Sequence, residues 1–180
     1  MPKYRTILVD PPWPSKGLGY MKGRSKDNSM FSPTGTEYPV ISMERILAMP
    51  VEKFAGKDCH LWLWATNSFL HQAFHVMEAW GFKFLYDIVA CKPSGCGAYF
   101  AVTTQHLLMG CHKKCFFHKA RWRKTCFDYV PKRSAQKPEI SYELIESISM
   151  EPRLELFARQ KREGWDSWGN EVECDVEMVV

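Results

Sequence analysis

The apolar run Thr6-Ile7-Leu8-Val9 stops at Asp10-Pro11-Pro12-Trp13, and that junction restricts the fold more than any other stretch of the chain. A continuous apolar run of this length reads as a buried strand. The two prolines remove backbone donors and fix the turn, so their carbonyls can point outward as acceptors. Asp10 adds a charged acceptor beside them, and Trp13 adds a flat indole face. Two acceptors and a stacking face suit an exocyclic amino group on a planar base. The plainer reading is a turn that merely ends a strand, and the tetrad alone does not separate the two.

The rest of the chain alternates strands with helices. After the strand Arg5–Val9 comes a long polar loop, Pro14 to Pro39, of a length usually tied to function or disorder. Ser42 is placed to cap a short helix, Met43–Met49, stopped by Pro50. Cys59–Thr66 reads as a buried strand, and Asn67 is expected to cap the next helix. That helix carries Leu70, Ala73, Phe74, Met77 and Trp80 at helical spacing and ends at Gly81. Strands are expected at Phe82–Cys91, Tyr99–Gly110, Lys114–His118 and Thr125–Val130. Pro138–Ser149 reads as a helix with Ile140, Leu144, Ile145 and Ile148 on one face, and Leu154–Ala158 as a last short strand. Such alternation implies an α/β layered sheet with mixed pairing near the hairpin. Ligands in these sheets bind beyond the carboxyl ends of the strands, which puts Asp10, Thr66–Asn67, Lys92 and Arg159 on one rim.

At 180 residues the chain fits one domain, 1–180, with enough length to bury a core without staples. The start runs straight into a strand, so no secretory signal is expected. No apolar run approaches the ~18 residues that cross a membrane. The seven cysteines form no small secreted framework, so reduced thiols and a cytoplasmic location are expected. Cys111-x3-Cys115-x2-His118, near Cys91 and Cys96, could hold zinc, but the spacing fits no common knuckle, and buried thiols in strands are the preferred reading. No metal is therefore assigned.

Charge is unevenly spread. From His112 to Lys137 nine Lys/Arg face one acid, Asp128, while no Lys or Arg follows Arg162. Lys16, Lys22, Arg24 and Lys26 form a second basic cluster after the tetrad. Basic stretches are often only solvated faces, yet two of them flanking a stacking turn suit a phosphate backbone. Walker and dinucleotide-type glycine loops are absent, which argues against ATPase and dehydrogenase chemistry.

Several blocks occur in an order that resembles one family: Asp10-Pro11-Pro12-Trp13, His60–Asn67, Trp80-Gly81-Phe82, Lys137-Pro138, Leu154–Arg159 and Gly164–Glu171. From Tyr4 to about Val172 the chain resembles the D-P-P-W family of S-adenosylmethionine-dependent N6-adenine methyltransferases, which includes the catalytic subunit of the messenger-RNA adenosine methyltransferase. The resemblance implies a Rossmann-like fold in permuted order, with the catalytic half first and the cofactor half last. It implies that Asp10 and the Pro11 carbonyl accept from the adenine amino group, with Pro12 completing the turn and Trp13 stacking near the base. Tyr38 and Trp64 would wall the acceptor pocket, with Asn67 and Lys92 beside it. Lys137, Phe157, Arg159, Asn170 and Glu171 would hold S-adenosylmethionine, with Asp10 near its amino group. Trp62 and Trp80 are read as core.

The chain departs from its relatives at Ala90, where they usually carry tryptophan, at Gln105, where an acid is common, and at Ser134-Ala135-Gln136 ahead of Lys137-Pro138. These changes bear on substrate fit more than on methyl transfer. The expected substrate is nucleic acid, with DNA favoured over RNA because no appended RNA-binding module is visible. The rivals are an RNA enzyme, a silent nucleic-acid-binding subunit and a cytosine N4 methyltransferase. A homo- or heterodimer partner is left open.

Overall fold

The computed structural model describes residues 3–14, 41–97, 99–114, 123–131 and 137–178. Tyr38, the strand expected at 114–118 beyond Lys114, Cys115 and His118, and the basic cluster at 16–26 lie outside them.

The elements in chain order are β1 (Tyr4–Val9), α1 (Met43–Ala48), β2 (Ala55–Thr66), α2 (Leu70–Ala79), β3 (Lys83–Cys91), β4 (Thr104–Cys111), β5 (Cys126–Asp128), α3 (Glu139–Ile148), β6 (Arg153–Leu156) and β7 (Trp165–Trp168). One sheet holds all seven strands in the order β5-β3-β4-β2-β1-β6-β7. β4 runs antiparallel to both its neighbours, and every other pairing is parallel. The expected α/β class holds, and the sheet is mixed through β4; the hairpin expected between Tyr99–Gly110 and Lys114–His118 has its second strand beyond Lys114 outside the described residues. The carboxyl ends of six strands therefore share one rim, which the amino end of β4 joins.

Strands buried on both faces read as continuous apolar runs because helices cover each side. On one side Ile7, Val9, Leu61 and Leu63 pack with Ile46 of α1 and with Ala73, Val76 and Met77 of α2. On the other, Leu8, Trp62, Trp64, Leu107 and Met109 pack with Tyr142, Ile145 and Ile148 of α3. Trp62 and Trp80 are core, as expected. Both of these indoles have a hydrogen-bond acceptor, Trp62 Nε1 donating to Ser149 Oγ (2.9 Å) and Trp80 Nε1 to the Ile46 carbonyl (2.9 Å).

Several local expectations change. Asn67 caps no helix: Asn67–Phe69 is a 3-10 turn and α2 starts at Leu70. Phe74 and Ile140 are exposed rather than in the core. Phe74 sits at the edge of the buried stripe of α2 and meets Phe84 edge to face, while the buried face of α3 is carried by Ser141, Tyr142, Ile145 and Ile148. Tyr99–Thr103 lies outside β4, and β6 ends at Leu156 because Phe157 turns into the left-handed region (φ 62°). β7 adds a strand within the Gly164–Glu171 block. Cys111 is disulfide-bonded, so not every thiol is free as expected; Cys59, Cys91, Cys96, Cys126 and Cys174 are. Among the described residues no helix is long and apolar enough to cross a membrane.

Candidate active site

Asp10 leaves the carboxyl end of β1, between β2 and β6, where the prolines stop pairing. Its Oδ2 forms an ion pair with Lys137 Nζ at 2.9 Å. Lys137 stands just before α3, and its ammonium lies 4.5 Å from the centroid of the Trp64 ring. Carboxylate, ammonium and indole, which come from distant parts of the sequence, thus form one stack at the middle of the rim. The Trp64 indole is 1% exposed and its Nε1 has no hydrogen-bond partner among the described residues. Such a buried orphan donor calls for an explanation, and a substrate or water partner at the site would supply one.

The tetrad folds back on itself. The Trp13 N–H donates to the Pro11 carbonyl (2.8 Å), and the Ile41 N–H to the Pro12 carbonyl (3.4 Å). A carbonyl oxygen has two lone pairs, so each can accept again. Trp13 is placed differently from the expected stacking surface. It is buried, its ring stacked on Phe69 (5.6 Å, 13°) and its Nε1 donating to the Trp64 carbonyl (3.0 Å). Trp13 therefore braces the turn against β2.

Asn67 lies on the same rim but belongs to a separate network. It donates Nδ2 to the Thr104 carbonyl and hydroxyl and lies 3.0 Å through Oδ1 from His106 Nε2, while His106 Nδ1 meets Asp87. The Lys92 N–H donates to the Thr103 carbonyl (2.7 Å), closing the root of the β3–β4 loop.

Of the residues expected to hold the cofactor, Lys137 and Asp10 belong to the stack above, while Phe157, Arg159, Asn170 and Glu171 follow β6 and β7. Phe157 keeps its left-handed backbone although it is not glycine, a conformation that costs energy and clusters at functional sites; its ring meets Trp168 edge to face at 5.3 Å. Arg159, Asn170 and Glu171 are exposed just past the strand ends. Between them Ala158 donates its N–H to the Trp168 carbonyl (3.0 Å), and this approach is so close that a Cβ on Gly169 would collide with the Ala158 backbone. Gly169→Ala is therefore expected to cost about 1–3 kcal/mol, lowering the thermal midpoint by several degrees, which thermal melts check.

Four residues went unnoticed in the sequence. Glu155, on β6 opposite Leu8, accepts a hydrogen bond from the Tyr142 hydroxyl (2.9 Å). Arg162 lies over the Tyr142 ring at 3.9 Å and pairs with Glu139. Burial pushes the Glu155 carboxyl up to about 7; the Asp10 charge adds to the rise, while the Tyr142 hydroxyl, Arg162 and Lys137 oppose it. The Tyr142 hydroxyl is itself raised, first by burial and then by Glu155. Tyr129 donates to Gln105 Oε1 (3.1 Å), and its hydroxyl is raised by burial and by the Asp10 charge. A charged residue inside the four-residue strand Arg153–Leu156 was the available signal for Glu155.

Two surface concavities, one beside Phe74, His75 and Phe82 and one between Phe127 and Leu144, hold none of the motif residues. Among the described residues no three metal-binding side chains gather.

A sheet of this order, with its motif residues on the carboxyl rim, is that of a Rossmann-like methyltransferase. Residues 4–171 match the MT-A70 family, and the chain belongs to it. It is 28% identical to the type II methyltransferase M.MunI of a Mycoplasma species, over 94% of this chain and 78% of that protein. It is 27% identical to the N(6)-adenine-specific methyltransferase METTL4 of Mus musculus, over 94% of this chain but 37% of that protein. To the N6-methyladenosine RNA methyltransferase MTA1 of Pyricularia oryzae it is 25% identical, over 95% of this chain and 47% of that protein. The chain thus spans less than half the length of the latter two.

Proposed function

We propose that the chain transfers a methyl group from S-adenosylmethionine to the N6 amino group of adenine in nucleic acid, with DNA favoured. The observation that carries this reading is the Asp10–Lys137 ion pair over Trp64, set at the D-P-P-W turn in a chain that matches an N6-adenine methyltransferase family over 4–171. The residues present fit the cofactor: a cation for its carboxylate in Lys137 or Arg159, acceptors for ribose hydroxyls in Asn170 and Glu171, and an aromatic face in Phe157. When bound, S-adenosylmethionine supplies an electrophilic methyl group.

The chain's own residues supply position and charge. Adenine's amino lone pair is delocalised into the ring and is a poor nucleophile at rest. Asp10 and the carbonyl of Pro11 or Pro12 accept the two amino hydrogens and draw the nitrogen toward a pyramidal geometry. Held in line this way, the nitrogen gains the advantage of proximity and orientation. Asp10 also stabilises positive charge growing on that nitrogen. The amino proton becomes acidic only as the new bond forms, so no strong base is needed. Trp64, carrying Lys137 on its face, walls the pocket.

The similarity to M.MunI over most of both chains supports DNA, and that to MTA1, named for RNA, supports RNA as the second reading. Methyl incorporation from labelled S-adenosylmethionine into single-stranded DNA, duplex DNA and RNA, with nucleoside mass spectrometry, tests both. N6-methyladenine in DNA is expected. N6-methyladenine in RNA alone would replace the polymer, and N4-methylcytosine would replace the base. Nucleic-acid binding without cofactor binding would mean a silent subunit.

A further inference from the structure

Exposed apolar surface is concentrated on the active-site rim. Phe100 is 84% exposed, Tyr99 82% and Val130 75%, and no other large apolar residue among those described exceeds 51%. Val102, at 37%, lies beside them in sequence. These residues follow the carboxyl ends of β3 and β5, which pair in parallel with Cys91 opposite Asp128. The Tyr129 N–H donates to the Cys91 carbonyl, so Val130 leaves the sheet beside the root of the β3–β4 loop.

That loop is built rather than extended. The Lys92 N–H donates to the Thr103 carbonyl and the Val102 N–H to the Cys96 carbonyl. The backbone of Phe100 comes so close to Gly97 that any Cβ there would collide with the Phe100 carbonyl. The root is held by side chains, Asn67 Nδ2 donating to Thr104 and the Tyr129 hydroxyl to Gln105, and in the sheet only β2 lies between the start of β4 and the end of β1 that carries Asp10. Phe100 and Tyr99 are thereby exposed on the rim that carries Asp10.

We infer that Phe100, with Tyr99 and Val130, is a stacking platform for the nucleotide next to the target adenine. The inference rests on the nucleic-acid reading above and specifies how that strand is gripped. An adenine drawn out of its stack leaves its neighbours with uncovered faces, and exposed aromatic side chains can cover them without regard to sequence. Lys92 at the loop root, Lys137 and the chain's net charge of +4 complement a polyanion. A second protein copy is the competing occupant.

The test measures the affinity of wild type, Phe100→Ala and Phe100→Trp for fluorescein-labelled single-stranded DNA and RNA containing one adenine, with 2-aminopurine beside it in a parallel set. Calorimetry follows S-adenosylmethionine binding and sedimentation follows oligomeric state. Phe100→Ala should weaken the favoured strand about tenfold and relieve 2-aminopurine quenching, with cofactor affinity and salt slope unchanged. Phe100→Trp should bind within about twofold of wild type. Phe100 is so exposed that neither variant threatens the fold. Equal affinity and quenching in Phe100→Ala would overturn the platform, as would a lost dimer at unchanged strand affinity. Wild type that binds neither polymer would remove the nucleic-acid reading itself, an outcome separate from failure of the platform alone.

Discussion

Asp10→Ala is expected to lower the single-turnover rate of methyl transfer by about a hundredfold to a thousandfold, leaving S-adenosylmethionine affinity within about tenfold. The asymmetry follows from where the carboxylate acts. Hydrogen bonds that strengthen as the amino nitrogen becomes positive lower the barrier without tightening the ground state. Asp10 has a second task, because Lys137 Nζ sits 2.9 Å away in a largely buried position. Alanine would leave that ammonium over Trp64 without its carboxylate, and breaking such a pair costs stability. Asp10→Asn separates the two tasks: it keeps the size and one acceptor while removing the charge. Its rate should fall between those of wild type and alanine, with a thermal midpoint nearer to wild type. Rapid-quench kinetics beside calorimetry gives both numbers, and full turnover in the alanine variant would sink the role assigned to Asp10.

How much of this was legible in the sequence depends on how local the signal is. β1 and β2 were visible because helices cover both sheet faces there and the strands are buried apolar runs; β3, more exposed, was visible by its aromatic and β-branched content. The rim positions of Asp10, Asn67, Lys92 and Arg159 followed from their places just past the carboxyl ends of expected strands. Phe74 and Ile140 misled because helical spacing marks a stripe and not its edges. Phe74 lies on such an edge, against Phe84. β7 was invisible as a strand because Trp165-Asp166-Ser167-Trp168 is four residues long and gains its hydrogen bonds from β6. Trp13 was readable as an aromatic at the turn, but its stacking on Phe69 depends on a 3-10 turn that no local pattern announces. Asp10–Lys137 and Tyr142–Glu155 are tertiary contacts between elements. Family resemblance pointed to both members of the first pair without pairing them; of the second it covered Glu155, within Leu154–Arg159, but gave neither member a role.

The second pair carries the other large effect, a dependence of stability on pH centred on Glu155. Its carboxyl titrates near 7 in the folded chain against 4.5 for an ordinary glutamate. Below about pH 4.5 the group is protonated in both folded and unfolded states and contributes no slope. Between about 4.5 and 7 the unfolded chain has lost this proton while the folded chain keeps it, so stability falls as pH rises; above about 7 the loss is complete. At about 1.4 kcal/mol per pKa unit the full loss is about 3–4 kcal/mol. The charges around the group decide the shape of the curve: Asp10 from the end of β1 disfavours ionisation, while Lys137 before α3 and Arg162 beside Tyr142 favour it. Glu155→Gln keeps an acceptor for the Tyr142 hydroxyl but has no proton to lose, so its urea-melt stability should stay flat across this window. The wild-type curve should fall away from it. Parallel curves for the two proteins would mean that the carboxyl is ionised throughout and that burial at β6 does not govern it. If the curves diverge, raising pH past 7 also places a second negative charge behind the Asp10–Lys137 pair. The ammonium is then shared between two carboxylates, which loosens its hold on Asp10 as the amino group arrives. Methyl transfer in wild type should then lose rate above pH 7, relative to Glu155→Gln, in step with the stability difference.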